Sequence, residues 1–158
     1  MNKRGENMKY VINGIFLTQK ITGVQRYGIE LLKALDNIEY ALDIEVLIPE
    51  YENTNIAFKR LKVIKYGKKS KKIWQQYDYM KYLIKNNAIG ICLSCPAPLF
   101  YNRKCIVVIH DMATCAHPEF YSKKYLLRNK IFMLNGVVKA KKILTVSEFS
   151  KLEIEKYL

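Results

Sequence analysis

The chain has 158 residues, of which half are hydrophobic and 26% are charged. That is enough apolar material for a buried core, too little length for two full-sized domains, and incompatible with wholesale disorder. Lys and Arg number 27 against 14 Asp and Glu, a formal net charge of +13, so the chain attracts something anionic: nucleic acid, a phospholipid surface or a phosphorylated ligand. Its longest unbroken apolar run, Cys105 to Ile109, falls far short of the ~20 residues of a membrane-spanning helix. Lys3 and Arg4 precede an apolar stretch as in a secretory signal, but Asn13 and Gly14 interrupt it and Thr18-Gln19-Lys20 is no cleavage site. A soluble, cytoplasmic chain is expected.

Met8 to Ile12 reads as a first strand, with an extension through Ile15 to Leu17. A polar loop, Thr18 to Thr22, leads to Gly23, after which Val24, Tyr27, Leu31 and Leu35 recur at helical spacing. Arg26 and Glu30 lie one turn apart on that helix's polar side. Asp43 to Ile48 and Leu61 to Tyr66 are strands. Ile73, Tyr77, Met80 and Ile84 mark the apolar face of a helix over Lys71 to Asn87. Ala88 to Leu93 and Cys105 to Ile109 are apolar runs suited to strands buried on two faces. Leu127, Ile131, Leu134 and Val138 predict a helix from Tyr121 to Lys139 that buries this stripe. Ile143 to Val146 is a last strand, and Ser147 is placed to cap a closing helix with Glu148 in its first turn. Strands alternate with helices, which predicts an α/β domain with a parallel sheet and helices on both faces.

In such a sheet, ligands bind at the carboxyl ends of the strands. Gly23 opens the first helix there, where backbone can approach an anion, although a plain turn glycine is the simpler reading of this residue alone. His110 and Asp111 follow the buried strand Cys105 to Ile109. An imidazole beside a carboxylate suits hydrogen-bond or proton chemistry near neutral pH, and the competing reading is a histidine that merely caps the sheet edge. Cys92 and Cys95 have the gap of a zinc or redox pair. A ribbon needs a second close pair, however, and Cys105 and Cys115 are too far apart, while Pro96 and Pro98 place the motif in a loop. A metal cluster with His110, Asp111 and His117 is the remaining option for them, and packed free thiols are the simpler one.

Two basic sets stand out. Lys59 to Lys72 contains Lys68, Lys69, Lys71 and Lys72 and no acidic residue, and the helix from Tyr121 combines Lys123, Lys124, Arg128 and Lys130 with Tyr121, Tyr125 and Phe132. Cations beside aromatics suit an anionic membrane surface, or form a solvated basic face. For nucleic acid the chain offers no recognition helix, no RNP-like strand and no zinc finger.

Thr22-Gly-Val-Gln-Arg-Tyr27, Val107-Val-Ile-His-Asp111, His117-Pro-Glu-Phe120 and Ile143-Leu-Thr-Val-Ser-Glu-Phe-Ser-Lys151 occur in that order. Together they resemble the N-terminal half of a family 4 (group 1) glycosyltransferase with the GT-B fold, over about Tyr10 to Leu158. The resemblance implies that residues 1–158 are one Rossmann-like, acceptor-side domain, with the nucleotide-sugar donor held by a C-terminal domain absent from this sequence. It implies transfer with retention, in cell-surface polysaccharide assembly at the inner face of the cytoplasmic membrane, to a glycan or lipid-linked acceptor, with no metal or other cofactor. By motif, His110 with Asp111 falls on the active-site position. Gly23, with Val24 and Arg26, falls on the loop that approaches donor phosphate and sugar, and Ser147 with Glu148 on a strand end facing the interdomain cleft. Many relatives have two glycines in the first loop, where this chain has Gly23 alone. The family's pair of glutamates separated by seven residues has no counterpart, since Glu148, Glu153 and Glu155 lack that spacing. The chain is therefore expected to be a fragment, a truncated product or one subunit of a split enzyme. The reading from another class is a non-enzymatic Rossmann-like module that binds an anionic ligand or a partner protein.

Overall fold

The computed structural model describes residues 9–39, 43–94, 96–101 and 105–158; Lys3, Arg4, Met8 and Cys95 lie outside these, as does the side chain of Lys71. Six strands form one sheet: β1 (Tyr10–Asn13), β2 (Ile44–Ile48), β3 (Lys62–Lys65), β4 (Ile89–Cys92), β5 (Cys105–Val108) and β6 (Ala140–Leu144). All pair in parallel, in the order β3-β2-β1-β4-β5-β6. This is the Rossmann-like arrangement, with helices on both faces.

The two faces follow from the period-two alternation of strand side chains. Val11, Leu47, Cys92 and Val107 point to a core shared with Trp74, Tyr79 and Leu83. These come from α2 (Lys71–Gln76) and α3 (Asp78–Lys85). Ile12, Val46, Leu93 and Val108 point the other way, onto Ile29 and Leu32 of α1 (Gly23–Asp36). Tyr27, Leu31 and Leu35 of the expected apolar face pack at that core's margin. The central strands are thus covered twice, which explains their unbroken apolar runs.

Four expectations are corrected. Ile15–Thr18 is a 3₁₀ turn, not an extension of β1. The Asn13 carboxamide accepts the Ile15 N–H at 3.2 Å, and the turn seats Ile15 and Phe16 in opposite cores. The single helix expected over 71–87 is two, broken at Tyr77. Trp74 and Tyr79, both fully buried, would lie about 140° apart on one continuous helix, and the break turns both to the sheet. Of the expected apolar set only Met80 packs on the core, while Ile73, Tyr77 and Ile84 are exposed.

The last strand is Ala140–Leu144 rather than 143–146. It follows α5 (Lys123–Lys139) directly, and pairing of Val107 with Ile143 and Val108 with Leu144 sets its register. On α5 itself, Leu127, Ile131, Leu134 and Val138 are all exposed. The face turned to the sheet carries Phe132, Met133, Gly136 and Val137 instead. The short α4 (Ala113–Ala116) precedes α5, and α6 (Glu148–Tyr157) follows β6.

Candidate functional site

The crossover from β1 runs through α1 to β2, whereas the crossover from β3 returns through α2 and α3 to β4 on the other side of β1. The carboxyl ends of β1, β4 and β5 therefore border the crevice where the winding reverses, the usual ligand position in an open α/β sheet. Near strand carboxyl ends, three side-chain atoms are buried with no partner among the described residues: Asn13 Nδ2 on β1 and Ser94 Oγ past β4, beside the crevice, and Thr145 Oγ1 past the edge strand β6. Each lies within two residues of a strand's carboxyl end.

His110 stands two residues past β5 and is half-buried. Its Nε2 lies 2.7 Å from the Leu93 carbonyl. A carbonyl only accepts, so Nε2 carries a proton, and in that tautomer Nδ1 is the acceptor. The ring packs edge-on against Tyr27, with centroids 5.1 Å apart and planes at 89°. The His110 carbonyl in turn accepts the Ser150 hydroxyl at 3.0 Å. One residue thus ties together the end of β4, the first turns of α1 and the first turn of α6. Asp111 is exposed, and its Oδ1 accepts the Ala113 N–H at 3.0 Å.

His110 and Asp111 line a cavity of about 640 Å³ between the end of β5, α2 and α5. Val24, Lys72, Gln76, Ser94, Arg128 and Asn129 are also in its wall. Tyr121 stacks on Tyr125 at 5.4 Å and 14°, and the Arg128 guanidinium lies 5.3 Å from the Tyr125 ring centroid. Asn129 Nδ2 donates to Thr114 Oγ1 at 2.8 Å, holding α5 against α4. Cations, aromatic faces and an imidazole in one concave site suit a polyhydroxy ligand that carries an anionic group.

Other expected residues lie elsewhere. Gly23 is the exposed first residue of α1, with open space where a Cβ would stand. The Gln25 carboxamide closes the turn before it by accepting the Thr22 N–H at 3.2 Å. Arg26 is exposed and outside the cavity wall, and Glu30 pairs with Lys33 at 2.9 Å rather than with Arg26. Ser147 caps α6: its Oγ accepts the Ser150 N–H at 3.1 Å and lies 3.0 Å from Ser150 Oγ. Glu148 is exposed and 3.5 Å from Lys151. Lys68 lies 3.9 Å from Glu50, and Lys69 lies 5.9 Å from the Tyr77 ring. Lys123 and Lys124 are exposed on α5. Among the described side chains of the two basic sets, only Lys72 and Arg128, one from each, line the cavity.

The sequence did not single out Ser94 or Asn129, and it read Tyr27 only as part of the first helix's apolar face and of the Thr22–Tyr27 motif, not as a partner of His110. Ser94 had a usable signal, as a hydroxyl directly after an apolar strand; the other two depend on how α1 and α5 are seated.

Cys92 and Cys105 are buried on neighbouring strands. The hydrogen bond to Cys92, together with burial, pushes the Cys105 thiol far above its ordinary value, so it is no thiolate nucleophile at neutral pH. Among the described residues no three His, Cys, Asp or Glu side chains converge as metal ligands.

No family model, curated protein or solved structure matches this chain. The site's geometry therefore carries the functional reading, alongside the motif resemblance.

Proposed function

We propose that this chain is the acceptor-side domain of a retaining glycosyltransferase, working against a second domain that holds the nucleotide-sugar. The observation that carries the reading is the convergence on His110. The segments Thr22–Tyr27, Val107–Asp111 and Ser147–Lys151 are far apart in sequence. They meet there through the Tyr27 ring, the His110 imidazole and the Ser150 hydroxyl.

In this reading the acceptor occupies the cavity beside β5, with its hydroxyls toward His110 and an anionic group near Lys72 and Arg128. The donor approaches over the exposed N-terminus of α1 at Gly23, where the helix dipole favours phosphate. His110 Nδ1 accepts a hydrogen bond from the transferred sugar and orients it. Holding donor and acceptor together supplies much of the rate, and stabilising the departing diphosphate falls largely to the donor domain. The acceptor is a glycan or a lipid-linked glycan of a cell-surface polysaccharide, assembled at the cytoplasmic face of the membrane.

The test is an activity assay with nucleotide-sugars, with and without the nucleotide-sugar half of a group 1 glycosyltransferase. Transfer is expected only with both halves. Tight nucleotide-sugar binding or turnover by this chain alone would overturn the division of labour. Failure of every complemented pair, with an anionic ligand still bound in the cavity, would leave the non-enzymatic binding module instead.

A further inference from the structure

The outer face of α5 combines two properties that rarely share one helix surface. Leu127, Ile131, Leu134 and Val138 are 63%, 51%, 44% and 82% exposed. At 100° per residue they form a stripe about 60° wide. Lys123 and Lys130 border it on one side, Lys124 and Arg128 on the other, and all four are exposed. From Lys123 to Leu144 the chain carries seven basic residues and no acidic one. On the same face a shallow depression of about 520 Å³ is bounded by Lys124, Arg128, Leu127 and Ile131, so that cations stand directly beside apolar side chains.

We infer that the outer face of α5 docks this domain onto an anionic phospholipid surface, with the apolar stripe among the acyl chains and the flanking cations at the phosphates. An apolar stripe between two cationic borders is the pattern of a helix lying in the membrane interface, and long cationic side chains reach up from such a depth to the headgroups. A second copy of this chain fits the face poorly. Two such surfaces would bring like charges together, with no acidic residue from 123 to 144 to offset them. No helix of the described residues is long and apolar enough to cross a membrane, so contact through this face lies along the surface. The inference goes beyond the glycosyl-transfer reading and does not depend on it.

The probe is Ile131→Trp in the full chain. The single native tryptophan, Trp74, is fully buried and gives a constant background. With mixed phosphatidylglycerol–phosphatidylcholine vesicles at low salt, the new indole is expected to shift to the blue and to be quenched by brominated acyl chains. Phosphatidylcholine vesicles should give neither effect, and added salt should weaken both. Lys124→Gln and Arg128→Gln should each weaken binding about fivefold (about 1 kcal/mol). Leu127→Ser with Leu134→Ser should abolish the acyl-chain quenching. Lys62→Gln with Lys65→Gln, at the opposite sheet edge on β3, should change little.

Equal binding to neutral vesicles, or equal loss from the β3 substitutions, would overturn the inference. So would a concentration-dependent blue shift without lipid, which would assign the face to self-association. Binding of an acidic protein with no binding of anionic vesicles would overturn it too. No arm uses sugar transfer, so its failure is read separately from failure of the proposed activity.

Discussion

The Asp36 carboxylate accepts the backbone N–H of Leu61 at 2.8 Å, and also those of Arg60 at 2.7 Å and Lys59 at 2.6 Å. Asp36 is the last residue of α1, where the helix dipole disfavours an anion. The three N–H groups reverse that preference and pin the loop that feeds β3. Burial pushes the carboxyl up, but the hydrogen bonds from Leu61, Lys59 and Arg60 outweigh it, and the folded-state value lies below the ordinary 3.8. The stabilisation is therefore fully present above pH 3.8 and is lost as pH falls through the lowered folded value. Urea unfolding of the native chain and of Asp36→Asn should show a constant gap in midpoint near neutral pH. The gap should shrink in acid below pH 3.8. A gap unchanged in acid would mean that charge plays no part in the contact.

Two glycines should respond oppositely to alanine. Gly67 has φ of 81°, and a Cβ there would run into the Asp78 carboxyl, which also accepts the Lys69 N–H at 2.9 Å. Gly67→Ala should cost at least about 1–2 kcal/mol from backbone strain alone. Gly23 has open space at its Cβ position, so Gly23→Ala should leave stability unchanged or raise it by up to about 1 kcal/mol. Thermal melts of both variants decide this. A drop in transfer by the complemented Gly23→Ala enzyme would then report donor approach rather than misfolding.

Tyr79 bridges two neighbouring strands from a helix. Its hydroxyl donates to the Val11 carbonyl at 2.8 Å and accepts the Ile91 N–H at 3.1 Å. Gly90 makes room for it, since a Cβ there would stand 3.0 Å from the Tyr79 oxygen and 2.9 Å from Leu83. Tyr79→Phe keeps the ring and strands the buried backbone groups, at an expected cost of about 1–3 kcal/mol by chemical denaturation. A neutral result would show that the strands re-pair without the hydroxyl.

His110→Ala removes one hydrogen bond to Leu93 and one ring contact with Tyr27. It should cost only about 1 kcal/mol of stability while abolishing transfer by the complemented enzyme. Nitrogen NMR of the imidazole should show Nε2 protonated. A large loss of stability would identify a packing histidine and remove it from the catalytic reading.

The order of strands and helices was legible because each strand is a short apolar run between polar turns, and alternation of that kind forces a parallel sheet with two cores. His110 and Asp111 were legible for the same reason: chemistry-bearing side chains directly follow a run too apolar to be anything but a buried strand. Spacing alone could not decide which helix face is buried. On α5, both Leu127–Val138 and Phe132–Val137 offer helical apolar sets, and the sheet takes the second because β6 follows without a loop and fixes the helix's rotation. Likewise the break at Tyr77 lets Trp74 reach the backbone just past β3, at Tyr66 at 2.6 Å, while Tyr79 reaches that of β1, at Val11 at 2.8 Å. The meeting of Tyr27, His110 and Ser150 belongs to the tertiary structure alone. Sequence sets local preference, but long-range packing chooses among faces of nearly equal hydrophobicity.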